Sequence, residues 1–95
     1  MGHQFHLRVA VINMEIGIEI SLYPLNADFI PPIQDFIERL NRDGRFKVLT
    51  NSMSTQIFGR YEDLLDALSR EMRVTFEVAG KAVFVMKVLG PLAAP

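Results

Sequence analysis

Phe46-Lys47-Val48-Leu49-Thr50-Asn51-Ser52-Met53-Ser54-Thr55-Gln56-Ile57-Phe58-Gly59-Arg60-Tyr61 is the stretch that decides the architecture of this chain. Phe46 to Asn51 and Ser54 to Tyr61 are two short strand-like runs set about a polar turn, the pattern of an antiparallel hairpin. Gly59 breaks the second run and predicts a bulge there. The tip, Thr50 to Thr55, carries more hydroxyl and amide groups than a chain reversal needs.

On either side of this hairpin lies a strand and a helix. From Met14 to Leu22 the even positions are Met14, Ile16, Ile18, Ile20 and Leu22, against Glu15, Gly17, Glu19 and Ser21, which is the period of a strand. Pro24 ends it, because proline has no N–H for a ladder, and Asn26-Ala27-Asp28 carries the chain onward. Ile33, Phe36, Ile37 and Leu40 then form one face of an amphipathic helix. Its first residue is expected at Pro32, since Pro32 disfavours the α conformation at Pro31, and Gly44 is its expected left-handed stop. After the hairpin, Tyr61, Leu64, Leu65, Leu68, Met72 and Phe76 make a second helical stripe closed by Gly80. Lys81 to Leu89 is the last strand, apolar on both faces along most of its length; Gly90-Pro91 ends it and Leu92 to Pro95 reads as a loose tail.

The order is therefore β-α-β-β-α-β, an α+β chain of the ferredoxin-like kind. Right-handed crossovers predict a four-stranded antiparallel sheet in the order 4-1-3-2, with both helices on one face. Residues 14–90 form this domain and residues 91–95 its tail. Residues 1–13 are an N-terminal extension: Leu7, Val9 and Val11 alternate with polar or small neighbours, yet no turn separates them from the first strand, so an added strand and disorder both stay open. His3 and His6 lie there too, without the third ligand and rigid frame that a metal site requires.

Ninety-five residues with 49% hydrophobic composition suit one core rather than two. Ten basic and eleven acidic residues, interspersed, give a formal charge of -1 and no electrostatic footprint for nucleic acid or an anionic membrane. The absence of cysteine removes disulfides, thiolate metal sites and a thiol nucleophile, and is compatible with a reducing cytoplasm. No apolar run approaches the roughly 20 residues needed to span a bilayer, so a cytoplasmic location without membrane partners is expected.

Topology gathers scattered residues into a candidate site. The first and second strands run parallel with the third antiparallel between them, so Ser21 and Tyr23, Thr50 and Asn51, and Ser54 and Thr55 meet at one edge, with Asp28 ahead of the first helix and Phe84 near the start of the last strand. A polar, partly aromatic concavity is the expected result. Each residue also has a structural role open to it: the hairpin groups can satisfy their own backbone, Tyr23 and Phe84 can pack in the core or an interface, and Asp28 can sit at the positive end of the helix.

Four blocks carry a family resemblance: Glu19-Ile20-Ser21-Leu22-Tyr23-Pro24-Leu25, Ile30-Pro31-Pro32-Ile33 with Phe36-Ile37, Thr50-Asn51-Ser52-Met53-Ser54-Thr55 followed by Phe58-Gly59, and Val83-Phe84-Val85-Met86-Lys87-Val88. In this order, over roughly residues 14 to 89, they resemble the YkoF-like thiamine-binding family of small ferredoxin-like proteins. The resemblance implies non-catalytic binding of thiamine or its hydroxymethylpyrimidine moiety, no other cofactor, and homodimers that pair into tetramers. Ser21, Tyr23, Asp28, Thr50, Asn51, Ser54, Thr55 and Phe84 are the implied ligand-binding residues. Their chemistry suits an aminopyrimidine, whose donors and acceptors are matched by Ser, Thr and Asn and whose faces need an aromatic or apolar wall.

Other users of this architecture leave different marks. An RNA-binding sheet shows basic and aromatic residues on its third strand, whereas Ser54-Thr55-Gln56-Ile57-Phe58-Gly59 has one aromatic and no cation. Leu25-Asn26-Ala27-Asp28 offers neither the glycine nor the arginine of an acylphosphatase-like phosphate loop. The rival reading is an ACT-like regulatory module that takes an amino acid or another small metabolite at a subunit interface. Strand four has large apolar residues at both parities, so the face the helices leave bare is expected to be an interface.

Overall fold

The computed structural model describes residues 14–92. The expectations for residues 1–13, including His3 and His6, and for residues 93–95 lie outside the described residues. The elements run β1 (Glu15–Pro24), α1 (Ile30–Asp43), β2 (Lys47–Thr50), β3 (Thr55–Arg60), α2 (Tyr61–Ala79) and β4 (Ala82–Leu89). The sheet order is β2-β3-β1-β4, every neighbour antiparallel, which is the βαββαβ ferredoxin-like fold.

Alternation along β1 sets the two faces of the sheet. Ile16, Ile18, Ile20 and Leu22 point under the helices and join Ile57, Phe36, Leu40, Leu64 and Leu68 in one core cluster. Burying each such side chain contributes on the order of 2 kcal/mol, so this stripe fixes the strand's register as well as its stability. Pairing of Ile20 with Met86 and Leu22 with Phe84 puts the even residues of β4 on that same face. The opposite face carries Tyr23, Leu49, Val83, Val85 and Leu89, all well exposed.

Arg39 fastens the helices to each other. Its guanidinium donates to Asp35 Oδ2 within α1 (3.0 Å), and across to Glu71 Oε1 (2.6 Å), the Glu71 carbonyl (2.9 Å) and Thr75 Oγ1 (2.7 Å) in α2. Gly44 closes α1 at φ 78°, the left-handed stop expected of it, and Gly80 closes α2 at φ 79° and ψ -143°, a conformation open to glycine.

Three local expectations are corrected. Gly59 forms no bulge: Ile16 pairs with Gly59 and Gly17 with Phe58 in unbroken register. A Cβ at Gly59 would lie 2.5 Å from Phe46 Cδ1, so the missing side chain makes room for that ring. α1 starts at Ile30 rather than Pro32, with both prolines in the first turn, where an absent N–H costs no intrahelical bond. Leu92 is tied rather than loose, its N–H donating to the Glu15 carbonyl at 2.9 Å.

Candidate functional site

Where β1 ends, the β2–β3 tip and the first turns of α1 enclose a pocket of about 390 Å³. Ile20, Leu22 and Phe36, core residues, form its floor together with Ile33 and Ile37. Tyr23 and Phe29, respectively 54% and 49% exposed, also line it. The polar side comes from Ser21 and the run Thr50 to Thr55. The floor exists because the apolar stripe of α1 begins above the end of β1, and the polar wall because the hairpin turns beside it.

The hydrogen bonds show how much of this wall is already committed. Asn51 Oδ1 accepts from the N–H groups of Met53 (2.7 Å) and Ser54 (3.0 Å), and the Asn51 N–H donates to the Ser54 carbonyl at 3.0 Å. This closes the tip as a side-chain-assisted turn. The Asn51 amide nitrogen has no partner among the described residues. Thr50 and Thr55 face each other across the ladder with their hydroxyls 3.2 Å apart. Ser21 Oγ donates to the Met53 carbonyl at 3.4 Å, near the limit for such a bond. Ser54 Oγ donates to Glu19 Oε2 at 3.2 Å, and Glu19 also lies 3.8 Å from Lys87 Nζ.

Six of the eight residues singled out from sequence therefore line one pocket: Ser21, Tyr23, Thr50, Asn51, Ser54 and Thr55. Asp28 does not. Its N–H donates to Asn26 Oδ1 at 2.9 Å, and it lines a separate groove of about 340 Å³ with Pro31, Pro32, Asp35 and Thr75. Phe84 is not on the pocket surface either. It pairs with Leu22, and its ring centroid lies 5.0 Å from that of Phe36 and 5.4 Å from that of Phe76, so it supports the floor from behind.

Sequence reasoning missed Phe29 and Glu19. Phe29 stands four residues before Ile33 and continues the α1 stripe upstream of the helix, a signal that was there to be counted. Glu19 belongs to the opposite sheet face by parity, and only the fold brings it to Ser54. Among the described residues, no group of three or more His, Cys, Asp or Glu side chains could hold a metal ion.

An apolar floor edged by aromatic rings and walled by neutral donors and acceptors is the general composition of a small-molecule pocket. The profile of the YKOF-related family matches residues 15–87, and the chain belongs to that family. The fold is also that of several solved structures. A Thermotoga maritima protein that carries thiamine biosynthesis/salvage as a proposed role in its name superposes with TM-score 0.72 at 20% identity, covering 78% of this chain and 81% of its own. A hypothetical protein from Methanocaldococcus jannascii gives 0.70 at 24% identity, with 81% and 80% covered. A domain of unknown function from Bacillus cereus gives 0.73 at 18% identity, with 90% and 85% covered. No curated protein matches the chain.

Proposed function

We propose that this protein binds thiamine or its hydroxymethylpyrimidine moiety in the hairpin pocket and releases it unchanged, in the cytoplasm and without a further cofactor. The observation that carries the reading is the spare polar capacity above an apolar floor. The Asn51 amide nitrogen and the hydroxyls of Ser21 and Thr50 are free or weakly held, while Tyr23 and Phe29 offer half-exposed rings. An aminopyrimidine matches both features, and leaving its ring nitrogens unpaired in such a site would cost about 1–3 kcal/mol each. Family membership and the name of the Thermotoga maritima relative support the same ligand class.

The ACT-like alternative fits this pocket less well. A free amino acid brings both an ammonium and a carboxylate, and no lining side chain among the described residues is charged. Calorimetry of the folded protein with thiamine, hydroxymethylpyrimidine and a set of amino acids tests the choice. Saturable heat with the first two alone is expected; turnover of either compound, or binding only of amino acids, would overturn the reading.

The bare sheet face supports assembly as a homodimer, with dimers pairing into a tetramer. Val83, Val85 and Leu89 of β4 and Leu49 of β2 are all exposed there, with nothing in the chain's described residues packed over them. Light scattering of dilute protein should give a multiple of the 10.8 kDa chain mass, and Val85→Glu should return it to the monomer.

A further inference from the structure

Among the described residues the pocket has no cationic side chain with which to hold a phosphate. Phosphate groups are held by Lys or Arg, or by a run of free N–H groups, most often at a helix N-terminus. Among the described residues, the side chains lining this pocket are all uncharged. The first turn of α1 borders it through the apolar side chains of Phe29 and Ile33, while Pro31 and Pro32 line the separate groove with Asp28. The hairpin's own donors are engaged as well: the N–H groups of Met53 and Ser54 go to Asn51 Oδ1, and that of Asn51 goes to the Ser54 carbonyl.

The charge nearest the edge is a carboxylate held against a lysine, Glu19 lying 3.8 Å from Lys87 Nζ. Ser54, a lining residue, is hydrogen-bonded to the Glu19 carboxylate. The half-exposed rings of Tyr23 and Phe29 present faces that attract a cation and repel an anion. A thiazolium ring therefore meets favourable surroundings at the mouth, whereas a phosphate ester meets neutral hydroxyl and amide donors but no cation among the described lining residues.

We infer that the pocket selects the unphosphorylated alcohol forms of its ligand and rejects their phosphate esters, so that it takes thiamine ahead of thiamine monophosphate or diphosphate. This rests on the reading of the pocket given above. It places the protein beside reactions that release or consume the free alcohol, before a kinase-type step adds phosphate.

The test is calorimetry with two matched pairs, thiamine against thiamine monophosphate and hydroxymethylpyrimidine against its phosphate. The esters are expected to bind on the order of tenfold more weakly or worse. The ratio of ester to alcohol affinity is then read in Ser52→Arg and in Ser52→Lys, at a lining residue whose native side chain makes no hydrogen bond among the described residues. Both variants are checked for folding by circular dichroism. Ser52→Arg should raise the ratio by on the order of tenfold, with a gain that fades as salt rises, and Ser52→Lys, which lacks the two-pronged guanidinium, should raise it less. Equal or tighter ester binding by the parent protein would overturn the inference while leaving the ligand class intact. A ratio unmoved in whichever variants are folded would overturn it also. Binding of neither alcohol nor ester would remove the pocket's proposed role, and this inference with it.

Discussion

Two polar clusters in this small domain use their hydrogen-bonding groups in opposite ways. Around Arg39, four donated bonds reach Asp35, Glu71 and Thr75, and the guanidinium side chain is only 12% exposed. Every group in that cluster finds its partner inside the protein, and its work is to hold α1 against α2. At the β2–β3 tip, Asn51 spends its oxygen on the turn and keeps its amide nitrogen, Ser21 is held at 3.4 Å, and the two threonines hold chiefly each other. A polar cluster that satisfies itself is structural; one with unused capacity beside an apolar floor is arranged for something else to complete it.

The largest expected effect comes from breaking the first cluster. Arg39→Met leaves Thr75 Oγ1 and Glu71 Oε1 without their Arg39 donor in a part-buried place, Glu71 keeping only Arg70 at 3.4 Å, and should lower unfolding stability by about 2–4 kcal/mol in urea titrations. Ligand affinity of the folded protein should not change. A loss below about 1 kcal/mol would show that water replaces the guanidinium freely and that the two clusters differ less than their geometry implies.

Asn51 sharpens the comparison because it belongs partly to each kind. Asn51→Ala removes the acceptor of two N–H groups and the free amide together, so stability should fall by about 1–2 kcal/mol and ligand affinity by about 1–3 kcal/mol. Asn51→Asp keeps the acceptor and removes the amide donor. It should retain most of the stability yet lose the affinity, measured by thermal melting and calorimetry on the same samples. Equal loss of both in the aspartate variant would make Asn51 a turn residue only.

Tyr23→Ala should cost about 1 kcal/mol of binding through the lost ring face, and less than about 0.5 kcal/mol of stability, because the side chain is half exposed. The smallest effect is expected from Asp43. Two hydrogen bonds from Arg45, at 2.6 and 2.9 Å, hold its carboxyl below the ordinary aspartate range. A depressed folded value means that the contribution is complete above the unfolded pKa and is lost as pH falls through the folded one. Melting temperatures of the parent and Asp43→Asn should therefore differ slightly at neutral pH and converge in acid.

The fold was legible in the sequence because its signals are local and repeated. Ile16, Ile18, Ile20 and Leu22 fix β1, the polar tip fixes the hairpin, and Gly44 and Gly80 mark where each helix stops. Gly59 was misread because its reason, the Phe46 ring, sits across the β2–β3 pair rather than next to it in the chain. The pocket's polar wall could be inferred from topology alone, since strand order dictates which ends meet. Asp28 and Phe84 were drawn in by the same reasoning, but a strand end has two faces and a helix start has two sides. Nearness to an edge does not say which side a residue serves.

The bonds at the other end of β1 carry a practical consequence. The Tyr61 N–H donates to the Met14 carbonyl and the Leu92 N–H to the Glu15 carbonyl, so the first and last described residues leave the sheet side by side. The pocket lies at the far end of that ten-residue strand, roughly 30 Å away at the usual rise per residue. An anchor fixed just beyond either residue, to a sensor chip or a bead, would hold the molecule with its mouth turned outward, and both attachments should read the same ligand response.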